Sequence, residues 1–184
     1  GLIASAGRLL AQGPRLSYRP VQVTSAVIDV AATRMARTRS RHWSAARPDG
    51  NDSIVAAPFA WPELEPTSAT PSVAPWESSP HLKEEEFLRA VGLGLFDYLR
   101  KSRSQGFVVS LSGGADSSCV ACLVALMVEM AASELGPEHF ARALGDPPRL
   151  KSAATTAERV EALLHCVYQA TRNSSQTTRD AAVA

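Results

Sequence analysis

The chain has 184 residues, 45% of them hydrophobic and 20% charged. That is an ordinary globular composition, long enough for one domain or pieces of two. Nineteen Lys and Arg against eighteen Asp and Glu leave a formal net charge of +1, so bulk charge makes no case for a nucleic-acid or acidic-membrane partner.

The opening six residues have no basic start and no long apolar core, so no secretory leader is expected. Gly1 stands where a natural chain would begin with methionine, and processing, truncation or a partial sequence is expected. Residues 2–5 and 8–11 read as a hairpin around Ala6-Gly7. Residues 21–30 are strongly β-like, with Val21, Val23, Val27, Ile28 and Val30 all β-branched. Residues 29–39 then read as a short helix capped by Asp29. Forty residues of this kind cannot bury a good core by themselves, so 1–40 reads as the tail of a larger domain. Arg34, Arg37, Arg39 and Arg41 form a basic cluster. Without interleaved aromatics it reads as a solvated helix face rather than a nucleic-acid arm.

Seven of the twelve prolines lie between Pro48 and Pro80. Proline fixes φ and removes a donor, so 41–82 reads as a linker or an extended surface excursion. Trp43, Trp61 and Trp76 fall inside it, and parts of it should therefore dock on a folded surface. His42, His81 and His139 lie in predicted loops and read as solvated.

From residue 83 the pattern changes. Phe87, Val91, Leu95 and Leu99 recur every fourth residue and predict a helix over 83–100. Glu84, Glu85 and Glu86 suit its positive end and read as a solvated start. Phe107-Val108-Val109-Ser110-Leu111 has the character of a buried parallel strand. A helix over 115–133 follows, apolar nearly all round and expected to be buried. Its longest apolar run, 119–128, is half of the ~20 residues that a membrane span needs. Residues 138–156 read as irregular or a short helical insertion. Residues 158–170 read as a helix end passing into a strand near 163–168. A polar loop over 171–175 leads to another helix from 176. Strand, loop, helix, then strand, loop, helix predicts an α/β fold with a parallel sheet.

The most informative stretch is Ser110-Leu111-Ser112-Gly113-Gly114-Ala115-Asp116-Ser117-Ser118. It sets backbone N–H groups and hydroxyls at a helix start, where an anion is favoured. Gly113 and Gly114 let backbone approach phosphate oxygens without a Cβ in the way. Asp116 beside a phosphate calls for a bridging Mg²⁺. No Walker lysine pattern and no G-x-G-x-x-G fingerprint is present.

This stretch resembles the S-G-G-x-D-S signature of the ATP pyrophosphatase (PP-loop) superfamily. The resemblance narrows further along the chain. Val167-Tyr168-Gln169-Ala170-Thr171-Arg172-Asn173-Ser174-Ser175-Gln176-Thr177-Thr178-Arg179 is similar to the Y-x-A/G-T/S-x-N-S-S-x-x-T segment of NAD synthetases. The helix from Glu86 to Arg100 also looks like that family. The pieces Gly1-Leu2-Ile3-Ala4-Ser5, Leu10-Ala11-Gln12-Gly13-Pro14-Arg15 and Val27-Ile28-Asp29-Val30 resemble the end of the nitrilase-like glutaminase domain fused to glutamine-dependent NAD synthetases.

The resemblance implies three parts: residues 1–40 as the tail of a nitrilase-like domain, 41–82 as a Pro-rich linker, and 83–184 as the N-terminal part of a PP-loop synthetase domain. It implies ATP-dependent amidation of deamido-NAD through an adenylate, with ammonia from glutamine. ATP would contact Ser110, Leu111, Ser112, Gly113, Gly114, Ala115, Asp116, Ser117 and Thr171, with Mg²⁺ on Asp116. Arg172 departs from the residues expected there. The implied partners are ATP, deamido-NAD and glutamine or ammonia, without nucleic acid or membrane, in a cytoplasmic homo-oligomer when full length. The nitrilase-like Cys, Glu and Lys should lie upstream and further synthetase motifs downstream. The chain is therefore expected to be an inactive middle fragment. The alternative is a non-catalytic nucleotide-binding or interaction module from a truncated or degenerate PP-loop protein.

Three cysteines are an odd number and no disulfide framework, which predicts a reducing cytosol. Cys119-Val120-Ala121-Cys122 is a C-x-x-C without a second ligand pair, and reads as buried packing rather than zinc or redox chemistry. Cys166 beside His165 reads likewise, since strand neighbours point to opposite faces.

Overall fold

A computed structural model describes residues 1–39, 58–60 and 73–183. Trp43, Trp61, His42 and Arg41 lie outside the described residues. Contacts divide the chain into two units, Gly1–Pro14 with Gln22–Val73, and Arg15–Val21 with Ala74–Ala184.

In the first unit, strand β1, Leu2–Ser5, pairs antiparallel with β2, Arg8–Gln12. Ala6 and Gly7 join them at φ 49° and 76°. Positive φ at both turn residues matches the right-handed twist of the flanking strands. The β-rich stretch 21–29 forms no strand, which corrects the sequence reading. Val21 and Val23 are 73% and 84% exposed. A β-branched run needs a partner ladder, and none lies alongside it among the described residues. Helix α1, Val30–Arg39, begins where expected: the Asp29 carboxylate accepts from the Ala32 N–H at 2.9 Å, a cap on the first turn. Arg34, Arg37 and Arg39 are all exposed on it.

The second unit is built on two long helices. Helix α2, Leu82–Ser102, packs along α3, Ala115–Leu135. Strand β3, Phe107–Leu111, lies between them in sequence. Beyond α3 come short helices α4, Pro137–Ala143, and α5, Pro148–Lys151, then α6, Thr156–Leu163, strand β4, Leu164–Tyr168, and helix α7, Gln176–Val183. The predicted insertion thus holds two short helices, each opened by a proline. Strand β3 pairs parallel with β4, from Phe107↔Leu164 to Leu111↔Tyr168. The core joins Phe96 and Leu99 of α2, Val124, Met127, Val128 and Ala131 of α3, and Phe140 of α4. The rings of Phe96 and Phe140 stack with centroids 6.1 Å apart.

Segment Arg15–Val21 belongs to this second core as a strap. Tyr18 is 6% exposed and meets Phe96 edge-on at 5.3 Å. The Glu134 carboxylate accepts from the Ser17 hydroxyl and, at 3.2 Å, from the Tyr18 N–H. Arg15 pairs with Glu77 and Glu86, and the guanidinium groups of Arg15 and Arg89 both lie over the Trp76 ring, 5.4 and 5.1 Å from its centroid. Among the described residues, Trp76 is thus a docked tryptophan of the proline-rich stretch. Glu86 and Glu85, which also pairs with Arg89, are ion-pair partners rather than a merely solvated helix start.

Burial of α3 is one-sided along its length, a second correction. Its buried residues run from Val124 to Ala132, while Cys119, Val120 and Cys122 are exposed. Cys166 is exposed as well, so the expectation that the three thiols pack inside fails. The reason is layer count: β3 and β4 make a two-stranded sheet, too narrow to cover the first half of the helix. Strand β3 likewise covers one face only, with Val109 buried and Val108 75% exposed. Among the described residues α3 alone is long and apolar enough to cross a membrane by length and composition, with a mean hydropathy of 1.7. Its second half forms the core described here. His81 is exposed, and His139, expected in a loop, is exposed on α4.

Candidate functional site

Parallel pairing aligns the carboxyl ends of β3 and β4, since Leu111 is the register partner of Tyr168. The connections that leave these two ends are the two stretches singled out in the sequence. In open α/β sheets, ligands sit in the crevice outside the carboxyl ends of the strands.

The first connection is held by its own hydroxyls. The Ser112 N–H donates to Ser117 Oγ at 3.1 Å, and the Ser117 hydroxyl donates to the Gly114 carbonyl at 3.2 Å. The Ser118 hydroxyl donates to the same carbonyl at 3.1 Å. The Gly114 N–H donates to Ser112 Oγ at 3.3 Å. Gly113 takes φ +77°, a conformation that side chains disfavour. Gly114 caps α3 with extended backbone and no side-chain cap. Helix geometry leaves the N–H groups of Ala115, Asp116 and Ser117 without intrahelical acceptors, at the positive end of a 21-residue dipole. Asp116 lies in this first turn and is exposed. Ser110 is exposed on β3 and Leu111 ends that strand.

The second connection is also self-braced. The Thr171 N–H donates to Ser174 Oγ at 2.8 Å, and the Asn173 N–H to Thr171 Oγ1 at 3.3 Å. Ser175 caps α7, accepting from the Thr178 N–H at 3.2 Å. The Tyr168 hydroxyl lies 3.3 Å from Thr178 Oγ1. Hydrogen bonds from Ser174 and then Thr178 hold the Tyr168 phenol below its ordinary pKa.

The two connections meet at Gly113. A Cβ there would lie 2.4 Å from the Thr178 carbonyl oxygen. Residues 110–117 and the 171–178 turn thus share one rim of the sheet. Ser175 and Thr178, which brace that rim, were part of a recognised motif but not singled out as site residues. The capping pattern S-x-x-T was the signal for them.

A Mg²⁺ is the metal that the motif implies. Among the described residues no three His, Cys, Asp or Glu side chains gather as a metal cluster. Asp116 is the carboxylate of this loop, and one carboxylate together with substrate phosphates and water is a donor set that fits Mg²⁺.

Comparison with known proteins places this rim in context. Residues 87–169 match the NAD synthase family. Over 98% of its length the chain is 32% identical to the glutamine-dependent NAD(+) synthetases of Oryza sativa subsp. indica and Mus musculus, covering 25% and 26% of those proteins. It is 35% identical to that of Homo sapiens over 67% of the chain and 17% of the relative. A crystal structure of a glutamine-dependent NAD(+) synthetase from Cytophaga hutchinsonii aligns with a TM-score of 0.46 and 45% identity, over 53% of this chain and 18% of that one. The chain spans about a quarter of the length of these curated relatives.

Proposed function

Residues 87–169 match the NAD synthase family, and from that premise we propose that the chain supplies the ATP-binding rim of a glutamine-dependent NAD synthetase. The observation that carries this reading is the meeting of the two connections at Gly113 and Thr178. The uncapped N–H groups of Ala115 to Ser117 supply donors for an anion, and the Ser112 hydroxyl lies beside them. Ser110, Leu111, Gly113 and Gly114 supply close backbone, and Thr171 supplies a hydroxyl on the neighbouring turn. In this reading the rim stabilises the pyrophosphate as it leaves the α-phosphate under attack by the nicotinate carboxylate of deamido-NAD. Ammonia then displaces AMP to complete the amide. Asp116 is the carboxylate that would hold Mg²⁺, whose positive charge would offset that of the phosphates.

The same reading takes residues 1–40 as the tail of a nitrilase-like glutaminase domain and 41–82 as the linker. The β1–β2 hairpin supports this reading. The full enzyme is read as a cytoplasmic homo-oligomer that takes ammonia from glutamine. The chain by itself is read as forming no NAD.

Titration of the 184-residue chain with ATP and Mg²⁺ tests the rim. Saturable binding is expected, with the Mg²⁺-dependent part lost in Asp116→Asn and the circular dichroism unchanged. Absence of ATP binding by the unaltered chain sinks the reading. Undiminished Mg²⁺ dependence in the variant removes Asp116 from its role.

A further inference from the structure

The far end of α3 borders a cavity of about 660 Å³, within the ~300–1,000 Å³ of small-molecule sites. At ~1.5 Å per residue, α3 sets it about 30 Å from the serine-glycine loop at the other end of the helix. It is therefore a separate place on the molecule.

Its apolar wall is Phe96, Leu135, Pro20 and Val21. Its polar lining is Arg19, Arg100, Arg142 and His139 against the single carboxylate of Glu134. That carboxylate is already engaged by the Ser17 hydroxyl and the Tyr18 N–H. Arg100 shares its charge with Asp97 at 2.9 Å. Arg19 and Arg142 are exposed at the rim. In a chain of net charge +1 this is a local concentration of positive charge. Arg100 and Arg142 lie in the last turns of α2 and α4, where cations offset the helix dipole. That account does not reach Arg19, which stands on the strap and in no helix.

We propose that this cavity binds an apolar anion, a flat ring bearing a carboxylate or a phosphate group. The ring lies on the wall of Leu135, Pro20 and Val21, and the anionic group lies between Arg19 and Arg142. Guanidinium forks match both carboxylate and phosphate oxygens two at a time. The wall adds apolar burial that an inorganic ion cannot use. Such a ligand bridges the strap to α4 and so anchors segment Arg15–Val21.

The test is a fluorescence titration of the 184-residue chain with 1-naphthoate, 1-naphthyl phosphate, neutral 1-naphthol and inorganic phosphate. One or both ring anions should bind at one site per chain. Naphthol and inorganic phosphate should bind about tenfold more weakly or worse. The double variant Arg19→Ala/Arg142→Ala should lose about tenfold in affinity for the ring anion with its circular dichroism unchanged. The tighter of the two ring anions identifies the anionic group. Three results overturn the proposal: no binding of either ring anion, naphthol binding as tightly, or undiminished binding by the folded double variant. Arg142→Glu gives a second reading, because charge reversal must abolish binding if the guanidinium holds the anion.

Discussion

Gly113 lies with its Cα against the Thr178 carbonyl, so close that a Cβ would come within 2.4 Å of the oxygen. This approach joins the loop after β3 to the first turn of α7, across residues 65 apart in sequence (178 − 113). It makes one rim of two connections that are separate in the chain.

Gly113→Ala should therefore separate them. The new Cβ meets backbone, which cannot swing away, at a φ of +77°. A destabilisation of about 2 kcal/mol is expected from the conformation and the clash together. Urea denaturation and ATP titration of the variant check this. A stable variant with full ATP affinity would show that the rim tolerates the gap.

Tyr18 gives a prediction of opposite sign. Its hydroxyl is buried without a hydrogen-bond partner among the described residues, while its ring packs on Phe96. Tyr18→Phe keeps the ring and removes the unsatisfied group, so stability should rise by about 1 kcal/mol. Tyr18→Ala should lower it by about 3 kcal/mol. Burial, reinforced by Glu134 and opposed by Arg89, pushes the phenol up to about 12 from 10.0. The folded chain thus keeps a proton that the unfolded chain loses, and stability should fall as pH climbs from 10 towards 12. That alkaline loss should shrink in Tyr18→Phe. Denaturant midpoints at pH 8 and pH 11 measure both effects.

Helix α6 opens on a reciprocal cap. The Glu158 N–H donates to Thr155 Oγ1 at 3.2 Å, and Glu158 accepts from the Thr155 N–H at 3.1 Å. Thr155→Ala should cost about 1 kcal/mol. Backbone hydrogen bonds from Thr155 and Ala154 hold the Glu158 carboxyl below its usual range. Its contribution is complete above the ordinary carboxylate pKa and disappears as pH falls through the lower folded value. Acid titration of the wild type and Glu158→Gln, followed by circular dichroism, should show a smaller acid loss in the variant.

The exposed thiols predict fast chemistry. Cys119, Cys122 and Cys166 should all react with a dithionitrobenzoate reagent without denaturant. Metal analysis should find no stoichiometric zinc, because a C-x-x-C pair lacks two further ligands. Cys119→Ala/Cys122→Ala should keep its ATP affinity. Slow labelling at any of the three would mean that the thiol is covered in solution.

Much of this was legible from local pattern. The Ala6-Gly7 turn, the Asp29 cap, the four-residue stripe of α2 and the apolar run of β3 are each set by neighbours a few residues apart. The 21–29 stretch misled because β propensity describes a surface waiting for a partner, not a strand. The cysteines misled for a related reason. An apolar helix is buried only as far as the layers beside it extend, and here a two-stranded sheet extends along half of it.

By itself the sequence determined the hairpin, the long helices α2 and α3, the parallel sense of the sheet and the serine-glycine loop at a helix start, because periodicity, turn chemistry and caps act over short separations. Only the tertiary structure decided that Glu134 captures Ser17 and Tyr18 from more than a hundred residues away, that Arg15 and Arg89 both lie over Trp76, and that Gly113 abuts Thr178. These contacts depend on how packed helices and paired strands bring distant backbone together, and no local pattern records that distance.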